Sequence, residues 1–360
     1  MSARANTTTA SLAYRPTTSL DARRDGYAER TVTTSDGVRL AVRDYGSAGA
    51  ADHTVVLLHG LTLSQAVWAA QIRQLRRQWG TAVRIITYDH RGHGDSTSAP
   101  MHTYRIDCLA ADLAEVLTAL HVTGPLTLAG HSMGGMTALA YLGAADRPVE
   151  PQGLVLIATA AGKVAERGIG RLLATPATGM LCKLVNRAPR RAMDQAVQTL
   201  MRPVSAVLAG FSGRGSAEQN AKAAAAATAV RTTSLTTAVG FLHSLKRYDE
   251  YHTLASIAAK TIVVSGGADA ATPVAHARDL AAAIPGATHL HVPTAGHMLL
   301  QDASDCVSTA INRAMGAQTS AAAAWIAAKT QWYQSNSRLG TRETWQRRGV
   351  ASPTAVRATP

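Results

Sequence analysis

Apolar and polar residues alternate along ERTVTTSDGVRLAVRDYG (residues 29–46), and the alternation pivots on Asp36-Gly37. A period of two broken by Asp-Gly is the pattern of a β-hairpin with one buried face and a tight turn. The pattern then changes to short unbroken apolar runs: TVVLLH (54–59), RIITYD (84–89), LTLAG (126–130) and LVLIAT (154–159). Such runs fit strands covered on both faces. Between them the period lengthens. QAVWAAQIRQLRRQW (65–79) brings Val67, Ile72 and Leu75 near one face, and YRIDCLAADLAEVLTAL (104–120) repeats at Ile106, Leu109, Leu113, Val116 and Leu117. Both read as helices packed by one stripe. Strands alternating with helices predict a mostly parallel sheet with right-handed crossovers.

From 161 to 254 the strand text stops and the chain turns to Ala, Leu, Met and Arg-rich helical sequence, punctuated by Pro176, Pro189 and Pro203. It resumes at KTIVVSGG (260–267) and THLHVP (288–293), with helix candidates at 273–284 and 303–316. The expected architecture is α/β: an eight-stranded, mostly parallel sheet opened by an antiparallel hairpin, with helices on both faces. Its core would be residues 27–160 and 255–316, with 161–254 inserted as a helical cap. Residues 1–26 read as a disordered tail, and 317–360 as a partly helical extension in which Trp325 and Trp332 share a face with Ala321 and Ala328.

A chain of 360 residues with 46% hydrophobic content can bury a sizeable core. No run of about 18 apolar residues occurs, so no membrane-spanning helix is expected. The first 26 residues hold no apolar stretch of the signal-peptide kind, and the expected location is cytoplasmic. Cys108, Cys182 and Cys306 are too scattered for a metal cluster or a disulfide framework, and read as buried thiols in a reducing compartment. The net charge of +13 is uneven: residues 163–250 contribute +8 and residues 318–360 contribute +5. Without a DNA-binding motif this does not point to nucleic acid; it reads as solvated basic surface, with peripheral contact between the cap and anionic lipid as the functional alternative.

Gly130-His131-Ser132-Met133-Gly134 falls where one buried run ends and a helical segment, MTALAYLGAA, begins. A serine there sits on a sharp strand-to-helix turn that Gly130 and Gly134 permit, with its hydroxyl beside a helix N-terminus. A serine hydroxyl needs a base, and the base an orienting acid. On such a sheet they follow in the order Ser, Asp, His. Asp269 lies just past KTIVVSGG and His297 just past the last strand, both at carboxyl ends where ligands bind. The developing oxyanion would be held by the Met133 N–H and, from the His59-Gly60 loop, the Leu61 N–H. His289 and His291, two apart within the last strand, read as packing or surface residues. YDHRGHGDS (88–96) reads as a turn after the fourth strand; it lacks the spacing of a metal site, and no metal or other cofactor is expected.

HGLT, YDHRGHGDS, GHSMGG, GGADAATP and AGHM follow one another in the order of the α/β-hydrolases, and the chain resembles that superfamily over 27–160 and 255–316. It looks closest to bacterial serine ester hydrolases and monoacylglycerol-lipase-like enzymes. The resemblance implies a Ser132, Asp269, His297 triad and a small-molecule ester substrate, of a lipophilic acyl group where the oxyanion loop has a single glycine. Serine rather than aspartate at 132 disfavours epoxide hydrolases and haloalkane dehalogenases. An acyltransferase, a C–C bond hydrolase, a cofactor-free haloperoxidase-like enzyme and a non-catalytic small-molecule receptor stay open on the same framework.

Overall fold

The structure, a computed structural model, describes residues 26–46, 51–175, 180 and 235–316. Its strands are β1 (Ala28–Thr33), β2 (Arg39–Tyr45), β3 (His53–Leu58), β4 (Val83–Tyr88), β5 (Leu126–His131), β6 (Gly153–Ile157), β7 (Lys260–Gly266) and β8 (Thr288–Val292). They form one sheet in the order β1-β2-β4-β3-β5-β6-β7-β8. β1 pairs with β2, and β2 with β4, antiparallel; every later pair is parallel. The described helices are α1 (Ala69–Trp79), α2 (Ile106–Ala119), α3 (Met133–Gly143), α4 (Leu235–Arg247), α5 (Tyr251–Leu254), α6 (Val274–Ala283), α7 (Leu299–Asp302) and α8 (Ser304–Ala314).

The unbroken apolar runs are explained by two cores, one on each side of the sheet. Val56, Leu58, Leu128, Leu154 and Leu156 pack with α2 and α3 on one face. The alternate residues Val55, Leu57, Ala129, Val155 and Ile157 pack with Trp68, Ile72 and Leu75, and with Val307 and Ile311 of α8, on the other. A strand buried on both faces keeps a polar side chain only where a partner is buried with it, as Arg84 of β4 is with Asp44.

The expected helix over 65–79 begins as a 3-10 turn at Gln65–Trp68 and becomes α-helical only from Ala69. Asp89 causes this: its carboxylate accepts from the Gln65 N–H at 2.7 Å and from the Gln65 side chain at 3.2 Å, pinning that turn inward. Trp68, not Val67, thereby becomes the fully buried member of the stripe. The expected last helix over 303–316 is α8, with the short α7 added before it. Cys306 is buried as expected, but Cys108 is only half-buried, because it sits beside the apolar stripe of α2 rather than on it.

Between β6 and β7 the described residues are helical: 3-10 turns over Val164–Glu166 and Gly168–Ala174, then α4 and α5. α4 lies on the body, with Phe241 buried against Tyr104 and His93 at ring separations of 5.3 and 5.8 Å. Most of the expected cap, the segment 1–25 and the extension 317–360 lie outside the described residues.

Candidate active site

β3 lies between β4 and β5, so the connections leaving its end of the sheet part in opposite directions. That divergence opens a crevice at the carboxyl ends of β3 and β5. The register pairs Leu58 with Gly130, which sets the loop after β3 against the turn after β5. The approach is close enough to require glycine. A methyl group on Gly134 would run into the Leu58 carbonyl, and one on Gly130 into the Gly134 backbone. One on Gly60 would lie 3.1 Å from the Ser132 Cβ.

Ser132 occupies the turn with φ 53° and ψ −117°, a left-handed conformation that ordinary residues avoid. Such a backbone costs on the order of 1–3 kcal/mol and persists only where its surroundings hold it. Here they do. The Ser132 N–H continues the sheet ladder to the Ile157 carbonyl at 2.9 Å. Its own carbonyl accepts from Gly135 N–H at 3.0 Å, Met136 N–H at 3.2 Å and the Thr159 hydroxyl at 2.7 Å.

The three candidate residues, drawn from turns up to 165 positions apart, meet in a line. The Ser132 hydroxyl lies 3.1 Å from His297 Nε2, and His297 Nδ1 lies 2.9 Å from Asp269 Oδ2. A carboxylate only accepts, so the proton sits on Nδ1, leaving Nε2 to accept from the serine O–H. Asp269 is itself cradled: Oδ1 accepts from the Ala271 and Thr272 N–H groups at 2.8 and 2.9 Å, and Oδ2 from the Thr272 hydroxyl at 2.7 Å. Burial works to raise the Asp269 pKa, but the bonds from His297 and Thr272 outweigh it and hold the carboxyl below its ordinary value. The acid therefore stays ionised, while the His297 side chain keeps 28% of its surface open.

Behind this line, His131 is fully buried and its Nε2–H donates to the His297 carbonyl at 2.9 Å. Burial first, and the neighbouring His297 ring second, push its pKa down to about 3, so it is a neutral strut. The Leu61 and Met133 N–H groups donate to no protein acceptor among the described residues. Both belong to the segments that Gly60 and Gly134 bring into contact.

Residues 89–96 build a turn. Asp89 accepts from Gln65 and from the Asp95 N–H, Arg91 grips Asp112, and His90 and His93 pack with His59 at ring separations of 4.4 and 5.2 Å. Burial lowers the pKa of His59 to about 4 and of His93 to about 3. His289 and His291 share one strand face, each with a ring nitrogen within 2.9 Å of the Ser265 hydroxyl, away from the Ser132 line. The sequence reading overlooked His131, Thr159, Thr272 and Asp89. Only Thr272 carried a local signal, since Asp followed three residues later by Thr is a side-chain-to-backbone turn pattern.

Comparison with known proteins agrees with this fold. A family model described as alpha/beta hydrolase fold matches residues 53–303. A RutD protein of Klebsiella pneumoniae, named as a carbamate hydrolase, is 28% identical over 243 residues, covering 68% of this chain and 84% of its own. A second RutD, from Caulobacter segnis, is 38% identical over 111 residues, but that match spans only 31% of this chain and 39% of the relative. Among solved structures, an esterase from Exiguobacterium antarcticum superimposes with a TM-score of 0.61 at 21% identity, covering 80% of this chain and 99% of its own, a likeness of fold. With its crossover sheet, its serine turn and a family match over most of its length, the chain belongs to the α/β-hydrolase fold family.

Proposed function

We propose that the protein is a serine hydrolase that cleaves carboxylic esters through an acyl-enzyme. The observation that carries this reading is the unbroken relay from Ser132 Oγ to His297 Nε2 and from His297 Nδ1 to Asp269 Oδ2, at 3.1 and 2.9 Å. In the first half-reaction Ser132 attacks the ester carbonyl while His297 takes its proton, and Asp269 stabilises the imidazolium. The Leu61 and Met133 N–H groups, which have no protein acceptor to leave, hold the oxyanion. His297 then protonates the departing alkoxide. In the second half-reaction a water, deprotonated by His297, attacks the acyl-serine and frees the acid and Ser132.

A lipophilic acyl group is favoured by Leu61, whose side chain joins the apolar cluster beside the oxyanion loop, and by the Leu, Met and Val-rich cap sequence. The free cysteines Cys108 and Cys306 suit a cytoplasmic setting. No described helix is long and apolar enough to cross a membrane. Contact of the basic cap with anionic lipid is an extension of the same reading. The RutD relative favours a second reading, carbamate cleavage, because a carbamate presents the same attackable carbonyl.

Ser132→Ala is expected to abolish turnover of acyl esters and labelling by a fluorophosphonate while leaving the melting temperature within a few degrees of wild type. Retained esterase activity in that variant would sink the assignment. Wild-type protein that is labelled but never completes multiple turnovers on esters or carbamates would instead fit a small-molecule receptor. A panel of esters of graded acyl length beside a simple carbamate separates the two hydrolytic readings.

A further inference from the structure

Away from the serine, helix α1 and the antiparallel edge β1–β2 enclose a groove of about 740 Å³. Its walls carry Arg43, Arg73, Arg76 and Arg77 together with Tyr27 and Tyr45, and no described carboxylate lines it. The spacing on α1 follows from the helix: positions 73, 76 and 77 are three and four apart and so share one face. The opposite wall holds its charge in place. The Arg43 guanidinium lies 5.0 Å over the Tyr27 ring, the Tyr27 and Tyr45 rings stand 5.0 Å apart, and Arg76 lies 5.8 Å over Tyr45. Ring stacking fixes a guanidinium through its face and leaves its edge N–H donors for an oxyanion.

Arg84 and Arg91 are each held by a buried carboxylate. No described carboxylate pairs with Arg43, Arg73 or Arg77, although Glu29 stands directly across the β1/β2 register from Arg43. Residues 1–25 carry Arg4, Arg15, Arg23 and Arg24 against Asp21 and Asp25, and 317–360 is net +5.

We propose that this groove is a binding site for a phosphate-bearing ligand, separate from the hydrolytic centre. Arg43, Arg73 and Arg77, which no described carboxylate pairs, suit a group bearing more than one negative charge, and the planar arginine fork matches phosphate oxygens two at a time. The volume exceeds what a bare phosphate fills and suits a phosphorylated small molecule or a phospholipid headgroup.

Titration calorimetry of the full chain with inorganic pyrophosphate tests this. Saturable binding is expected in the wild type, weakening as salt rises, and about tenfold or more weaker in the double variant Arg73→Ala/Arg77→Ala. Lys246→Ala/Arg247→Ala, which removes the same charge from the exposed end of α4, should bind as wild type does. Absence of saturable binding to both pyrophosphate and vesicles, or equal weakening in both double variants, overturns the proposal. Sedimentation with phosphatidylcholine vesicles, plain or doped with phosphatidic acid, identifies the source. Retention on the doped vesicles that Arg73→Ala/Arg77→Ala loses assigns a lipid headgroup, whereas groove-dependent pyrophosphate binding without it assigns a soluble phosphate compound.

Discussion

His131 stands directly before the proposed nucleophile and contributes no chemistry of its own, yet it joins two turns that must not drift. Its Nε2–H bond to the His297 carbonyl ties the loop after β8 to the turn after β5. The opposite ring nitrogen is buried without a partner, so the ring is held by packing and one bond. Loss of that tie displaces the base relative to Ser132, and misplacement of about 1 Å can cost up to about 100-fold in rate. His131→Ala is therefore expected to lower kcat about tenfold or more with little change in KM, and His131→Gln, whose amide can donate the same bond, to recover part of it. Steady-state kinetics on a simple ester decides; a raised KM at unchanged kcat would contradict the positioning role. At this scale Ser132, Asp269 and His297 were legible in the sequence because each falls in a turn at a strand end. The second layer was not, since His131 and Thr159 act through backbone carbonyls that only the folded chain brings near.

At the scale of elements, one arginine links three segments. Arg91, in the turn after β4, donates to Asp112 of α2 at 2.8 and 2.6 Å and to Asp36 of the β1–β2 turn at 2.8 Å. Burial raises the Asp112 pKa even against Arg91, which marks an ion pair whose desolvation cost rivals its Coulomb gain. The pair thus adds little net stability but is expensive to break from one side. Arg91→Ala, leaving Asp112 buried and unpaired, is expected to destabilise the protein by about 3–5 kcal/mol. Urea unfolding monitored by tryptophan fluorescence measures this, and a loss below about 1 kcal/mol would show that water reaches the carboxylate. The hairpin, the strands and α2 follow from hydrophobic period alone. The 3-10 start before α1 does not, because it depends on Asp89 from another strand end.

For the molecule as a whole, buried neutral histidines set the acid limit. His59 titrates at about 4, and His93 and His131 at about 3. In the unfolded chain each would take a proton below about 6.5. The unfolded state then binds more protons than the folded one, so the stability present above 6.5 is lost as pH falls from there toward 4 for His59 and toward 3 for His93 and His131. At pH 5 the loss is about 2 kcal/mol for each histidine. Chemical denaturation at pH 7 and pH 5 should show the midpoint falling by a margin that one ordinary surface histidine cannot produce. An unchanged midpoint would place these rings in contact with water.

The sequence by itself determined the sheet, its order of strand and helix, and the three turns bearing Ser132, Asp269 and His297. Those features rest on local period and on glycine, which are readable along the chain. The tertiary structure alone decided which groups face one another: the struts His131 and Thr159, the Asp89 and Arg91 anchors, and the basic groove. Each of these joins residues distant in sequence, and distances of that kind are set by packing rather than by periodicity. Arg43 and Arg73 reveal their common groove only when β2 and α1 are laid side by side.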